Sequence, residues 1–437
     1  MRQAAIGNEP KADSTIDGVG VGSEPAIHPL QRLLVRFAWI YLIGYGLPNA
    51  WELAFRANPF APAMHRLAIW AGENVLKMNY DFRADSESGD AMMHYLTVLI
   101  LFVVAFVGSL VWTLVDREPS RDRRLGRWLF VACRFYLLGV MVAYGLAKIF
   151  TLQFVPPSLE RLLQTYGTSS PMGLHTTAMG YGKAYAVFGG LAELVGGLLL
   201  AYRRTTTLGA LILVGVMSNV VVMNFAYDVS VKLFSLHILL FACALLVPDA
   251  RRLLHVFVFN RPAPAAAHPP LFGSQRARLV GRAMAASGIG LFLLTNVATG
   301  FASEKALGRG AAKPPLWGIY DVESFYLDGE LRPPLLTDAS RWQNVVFDTL
   351  GRLSVRRMDG GFQRYSAVVD GPGKLSIYPQ RGTRELWIYE QPAPGKLLLA
   401  GELDRRKISV EAKARALGDI PLIRGGFRWV NEVTPNF

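Results

Sequence analysis

Long apolar runs separated by short polar stretches fill the first 300 residues, and a period-two alternation replaces them afterwards. Seven runs approach the length of about 20 residues that a helix needs to cross a bilayer. They cover 33–51, 92–115, 129–150, 184–202, 207–226, 231–247 and 279–300. The fourth carries Gly189, Gly190, Gly196 and Gly197, small residues that let helices approach closely. The stretch 60–78 sets Met64, Leu67, Ile69, Trp70 and Leu76 among polar residues. It predicts an amphipathic helix lying on the membrane surface.

Past Pro314-Pro315 and Pro333-Pro334 the pattern shortens. Leu353/Val355, Tyr365/Ala367/Val369, Leu375/Ile377, Leu386/Ile388, Leu397/Leu399 and Ile408/Val410 each show a period of two. Asp359-Gly360-Gly361, Asp370-Gly371-Pro372-Gly373 and Pro394-Gly395 supply turns between them. The predicted fold class is an all-α polytopic membrane helix bundle followed by a small antiparallel β barrel or sandwich. Residues 1–30 read as a flexible cytoplasmic tail, 31–300 as the bundle and 301–437 as an extracytoplasmic β-rich domain. The tail has neither the apolar core nor the cleavage pattern of a signal peptide.

Half of the 437 residues are hydrophobic, and the net charge is +13. That charge does not form a nucleic-acid stripe, because the cations sit in short loops between apolar runs. Arg32, Arg36, the loop with Arg117, Arg121, Arg123, Arg124 and Arg127, the turn at Arg203-Arg204, and the segment from Arg251 to Arg282 all fall on one side. The opposite loop, 52–91, is acidic, with Glu73, Asp81, Asp85, Glu87 and Asp90. By the positive-inside rule the first side is cytoplasmic, and an odd number of spans places the C-terminal domain outside. The expectation is a multi-pass protein of the bacterial inner membrane with a periplasmic C-terminal domain. Cys133 and Cys243 both lie in apolar runs and offer no disulfide framework or zinc spacing.

The densest chemistry lies where the fifth and sixth runs meet, from Asn224 to Leu240. A charge in mid-membrane costs roughly 2.5–3.5 kcal/mol, so Asn224, Asp228, Lys232 and His237 need an account there. Asn224, Asp228 and Lys232 are four apart and would share a face if the helical path continued. In the other account, Asp228 caps the following helix and pairs with Lys232. Lys148 stands near the outer end of the third run, one turn after Tyr144, and Glu193 near the middle of the fourth. Lys148 either lines a pocket or snorkels to the interface, and His237 is either a ligand or a core histidine. No facing histidines suggest haem, and no His/Cys/Met cluster suggests a metal.

Two segments carry a resemblance. Ala192 to Leu211, with its Glu193, paired glycines, apolar run and Arg203-Arg204 turn, resembles the DoxX family, as does Tyr144-Gly-Leu-Ala-Lys148. Gln153 through Ser170-Pro-Met-Gly-Leu174 to the 224–240 joint is similar to a longer bacterial subgroup. That subgroup carries a C-terminal domain beginning near Leu316-Trp-Gly-Ile-Tyr320 and closing on a motif like Arg424 to Glu432. The DoxX-like core would cover about 130–250. The resemblance implies an inner-membrane protein of a redox-associated family, some members of which are membrane subunits of a thiosulfate:quinone oxidoreductase. A more distant similarity is to the transmembrane domain of vitamin K-dependent carboxylases.

Three functions remain open on these residues. In a quinone-linked redox subunit, Lys148, Asn224 or His237 would bond the quinone head. Glu193, Asp228, Lys232 and His237 would be its catalytic groups, with Asp228 or Glu193 handling protons, and a partner protein would supply the second half-reaction. In a non-enzymatic scaffold, the buried polar groups organise packing and the bundle displays the β domain to a periplasmic partner or lipid. Its aromatic surface would include Trp317, Tyr320, Phe325, Tyr326, Trp342, Trp387 and Trp429. A small-molecule transporter is the third, although no inverted repeat or broken-helix pair is evident.

Overall fold

The computed structural model describes residues 28–82, 88–116, 118–263, 265, 271–379, 383–425 and 429–430. The tail 1–27, Asp85, Glu87, Arg117 and most of the closing motif around Arg424 to Glu432 lie outside the described residues.

The helices are α1 (Pro29–Phe55), α2 (Ala61–Trp70), α3 (Met92–Val115), α4 (Pro119–Ile149), α5 (Leu159–Leu163), α6 (Pro171–Tyr181), α7 (Lys183–Leu199), α8 (Thr206–Ala226), α9 (Lys232–Leu246), α10 (Ala250–Phe257), α11 (Gln275–Leu307) and α12 (Pro421–Arg424). Helix α4 is central: Leu137, Met141 and Val142 are fully buried, and α1, α7, α9 and α11 pack on it. It starts ten residues before the expected 129, because Pro119 sits in its first turn and the Arg-rich stretch 121–127 is helical rather than loop. Arg32 and Arg36 of α1 bond Asp122 of α4 at 2.7 and 2.6 Å, which brings these basic segments to one end of the bundle. The amphipathic stretch forms α2 and a π-helical turn (Ala71–Val75), with Ala68 buried against Phe82 and Leu96.

Among the described residues, five helical segments are long and apolar enough to cross a membrane: Met92–Val115, Ser120–Ile149, Thr206–Ala226, Lys232–Phe257 and Gln275–Leu307. They mark a membrane protein. Much of α3 and α11 is exposed and apolar, as a lipid-facing surface would be, with Val103, Val107, Leu114, Leu291 and Leu294 outward. The expected spans 33–51 and 184–202 are helical but do not reach the same standard. Helix α7 has 17 residues, about 26 Å at 1.5 Å per residue, short of a core about 30 Å thick. Helix α1 runs unbroken from Pro29 to Phe55, but Arg36, Pro48, Asn49 and Glu52 lower its apolarity.

The C-terminal region contains β1 (Gly318–Leu327), β2 (Glu330–Leu331), β3 (Trp342–Phe347), β4 (Arg352–Arg357), β5 (Phe362–Gly371), β6 (Lys374–Pro379), β7 (Glu385–Glu390), β8 (Lys396–Leu403) and β9 (Arg406–Ala414). From β3 to β9 each strand pairs with the next, and β1 pairs with both β3 and β9, closing an eight-stranded antiparallel barrel. The short β2 only extends the β1 turn. Closure resolves the choice between barrel and sandwich, and it leaves no open edge among these eight strands.

The alternating residues of β4, β6, β8 and β9 face inward as expected, with Leu353, Val355, Leu375, Ile377, Leu397, Leu399, Ile408 and Val410 buried. Strand β7 is the exception: Leu386 and Ile388 face outward at 70% and 61% exposure, while Trp387 fills the core. Trp387 stacks on Trp342 at 5.9 Å, and a Cβ at Gly401 would meet its indole at 2.3 Å. The larger ring thus decides the register of β7. Tyr320, Phe325, Trp342 and Trp387 are core, so four of the seven aromatics expected on the surface are unavailable to a partner.

Barrel stability should fall in acid. The Arg406 guanidinium and the Lys407 amide hold Asp328 below the usual carboxylate range, as Ser340 does for Asp338 and Ser376 with Arg384 for Asp370. A lowered folded-state pKa adds stability above the unfolded value, about 3.9, which is lost as pH falls through the lower folded value. Followed by near-UV circular dichroism of the detergent-solubilised chain, the thermal unfolding of the barrel should move to lower temperature below about pH 4, and move less in D328N/D370N.

Candidate functional site

Helices α4 and α7 cross on bare backbone. A Cβ on Gly190 would stand 2.7 Å from the Gly145 carbonyl oxygen, and one on Gly145 the same distance from that of Gly190. Such an approach brings one turn of each helix into side-chain contact across the crossing. Lys148 Nζ donates to both carboxylate oxygens of Glu193, at 2.5 and 2.6 Å, and the two residues are 7% and 2% exposed. The two charges treated separately in the sequence are partners. Buried opposite charges satisfy each other where lipid offers nothing else.

At the joint, helix geometry does not continue. Helix α8 ends at Ala226, Asp228 takes a left-handed conformation (φ 49°), and α9 begins at Lys232. Asn224, Asp228 and Lys232 therefore do not form one helical face. Asp228 pairs with Lys232 at 2.6 Å, as one account expected, but its side chain is 79% exposed and it does not cap α9. The cap is Asp90, from the loop before α3, whose two oxygens accept the amides of Lys232 and Leu233 at 2.9 and 3.0 Å. Asp90 also lies 3.6 Å from Lys232 Nζ. Sequence order hides this, since 142 residues separate donor and acceptor. Asp90→Ala should cost about 1–2 kcal/mol in detergent unfolding, whereas Asp228→Ala should stay within about 0.5 kcal/mol.

His237 is held on three sides. Its Nδ1 lies 2.7 Å from the Leu233 carbonyl oxygen, which can only accept, so Nδ1 carries the proton. Nε2 then accepts from Tyr41 Oη at 2.8 Å. Tyr45 stacks on the ring at 3.8 Å, nearly parallel. The core-histidine account thus describes its surroundings, and the tyrosines of α1 are the partners sequence reading did not connect to it. Asn224 Nδ2 and Tyr136 Oη are buried without hydrogen-bond partners among the described residues.

A third polar site lies where the bundle meets the barrel. Between α4 and α6 the chain makes the short helix α5, whose first amide, Leu159 N–H, donates to Asp348 of the β3–β4 turn at 2.9 Å. Glu160 accepts from Ser354 Oγ at 2.5 Å and from both Nε and Nη2 of Arg364. Beneath them Leu159, Leu163, Ile319 and Val346 form a buried cluster. Nothing in the periodicity of 150–182 announces this contact; it joins residues about 200 positions apart.

The six candidate residues therefore fall into four places: Lys148 with Glu193, Asp228 with Lys232, His237 in its tyrosine clamp, and Asn224 by itself. Over 131 residues, 30% of this chain and 78% of the relative, the sequence is 30% identical to the uncharacterized protein YwoB of Bacillus subtilis (strain 168). The chain belongs to the same family as YwoB. No family model matches the chain, and no solved structure does. YwoB is described only as uncharacterized, so any activity has to be argued from the geometry.

Proposed function

We propose that this is a non-enzymatic scaffold of the bacterial inner membrane, in which a helix bundle holds the barrel rigidly on the periplasmic side for a partner. In this reading α1 and α7 join the five apolar helical segments to make seven spans. Their shortfall in apolarity or length is offset by packing on α4 rather than on lipid. The arginines of α1 and α4 lie in the cytoplasm, and the kinship to the DoxX family rests on Glu193, its glycines and the Arg203-Arg204 turn.

The observation that carries the proposal is the brace at α5. A carboxylate, a serine and an arginine side chain, a capped helix and a small apolar cluster join bundle to barrel. A freely tethered domain would need none of them. Three of the candidate polar groups of the bundle, Lys148, Glu193 and His237, also have partners already. Lys148 is bonded twice to Glu193, and both nitrogens of His237 are engaged.

The quinone-linked reading draws on Asn224 Nδ2 and Tyr136 Oη, buried donors whose hydrogen bonds a quinone carbonyl could accept. Quantifying quinone in the gently purified protein by mass spectrometry separates the two. The scaffold reading expects only the background found in a control membrane protein. Stoichiometric quinone that disappears in Asn224→Leu or Tyr136→Phe would replace it with the redox reading.

A further inference from the structure

Beside the brace, a cleft of about 720 Å³ opens between the bundle and the barrel. Four cations line it: Arg161 of α5, Arg309 and Lys313 of the segment after α11, and Arg352 at the start of β4. None of the four forms an ion pair among the described residues. Their bonds go to neutral groups instead. Arg161 Nε donates to Thr177 and its Nη1 to Gln164, Arg309 Nη2 to the Gly180 carbonyl at 2.7 Å, and Lys313 Nζ stands 3.9 Å over the Trp317 ring. The carboxylate that lines the cleft, Asp348, is occupied by the amides of Leu159 and Thr349. Among the described lining residues, four cations stand against one engaged carboxylate, which leaves the cleft positive.

We propose that this cleft binds a phosphate group, carried by an anionic membrane lipid or by a small phosphate ester. Guanidinium forks match the oxygens of a phosphate, and three of them line one cleft. Ser170 and Gly173, at the N-terminal end of the eleven-residue α6, also line it and add the positive end of a helix dipole. Phe154, Val155, Leu307 and Trp317 supply apolar wall for the rest of the ligand. The volume lies within the range of about 300–1,000 Å³ typical of small-molecule sites. Its place favours a lipid: the lining begins just after α4 ends at Ile149 and where α11 ends at Leu307, the level of headgroups if these helices span.

The test uses the full-length chain in detergent, with native mass spectrometry against phosphatidylglycerol, phosphatidylcholine and glycerol 3-phosphate. One phosphatidylglycerol should be retained in preference to phosphatidylcholine. The K313Q/R352Q variant should weaken it about ten-fold or more, while the charge-conserving K313R and the barrel-surface pair K374Q/K396Q should not. Retained phosphatidylglycerol that glycerol 3-phosphate does not displace identifies the lipid as source. Glycerol 3-phosphate bound without lipid, with the same dependence on Lys313 and Arg352, identifies a soluble ester. Binding of neither probe, or equal weakening by the K374Q/K396Q pair, overturns the proposal. Should K313Q/R352Q fail to fold, the single variant Arg352→Gln is read in the same way.

Discussion

Lys148→Met is expected to cost about 3–5 kcal/mol of stability, because it leaves the Glu193 carboxylate buried with neither of its lysine bonds. Glu193→Leu should cost a similar amount by orphaning the ammonium. The double variant K148M/E193L is expected to lie close to wild type or above it, since two apolar chains of similar size remove the desolvation penalty of both charges. The measurement is the amount of protein in the membrane together with its unfolding in a denaturing detergent. Recovery in the double variant would assign the pair to packing, in keeping with a scaffold. A double variant as unstable as either single one would show that the pair contributes more than mutual neutralisation, and would turn attention back to a proton-handling Glu193.

The second large effect is expected one turn away. Gly190→Ala adds a single methyl group, but that carbon would stand 2.7 Å from the Gly145 oxygen and 2.8 Å from Lys148 Cβ. Backbone cannot rotate out of the way as a side chain can, so α4 and α7 must separate. Overpacking of this kind costs about 1–3 kcal/mol, and separation also stretches the Lys148–Glu193 pair. Gly189→Ala, on the adjacent residue, meets nothing within 4 Å. It should be neutral, or stabilising by about 0.5–1 kcal/mol through helix propensity. Unfolding of the two variants side by side checks the pair; equal behaviour would mean that the glycine crossing is not what sets the approach of these helices.

Both predictions rest on contacts that the sequence foreshadowed only in part. Paired glycines six to eight residues apart in 184–202 announced a close helix approach, but not that Gly145 was the partner surface. Lys148 and Glu193 each needed an explanation, yet their spacing of 45 residues carries no pairing signal. The joint at 224–240 was legible as a polar break, while its cap came from Asp90, in a loop notable in the sequence only for its acidity. On β7 the period of two was correct and its direction was not. Alternation alone is symmetric between faces, and the large Trp387 ring outweighs Leu386 and Ile388 in filling the barrel.

By itself the sequence determined the sequential order of apolar helices and short strands, the change of architecture near residue 300, and the end of the bundle at which arginines gather. These are local properties, set by runs of hydrophobicity, turn residues and charge within a few positions of one another. Tertiary structure alone decided barrel closure through β1 and β9, the neutralisation of Lys148 by Glu193, the tyrosine clamp on His237, and the brace and cation-lined cleft between bundle and barrel. Each of these depends on distances between residues remote in sequence, which chain packing sets and no local pattern encodes.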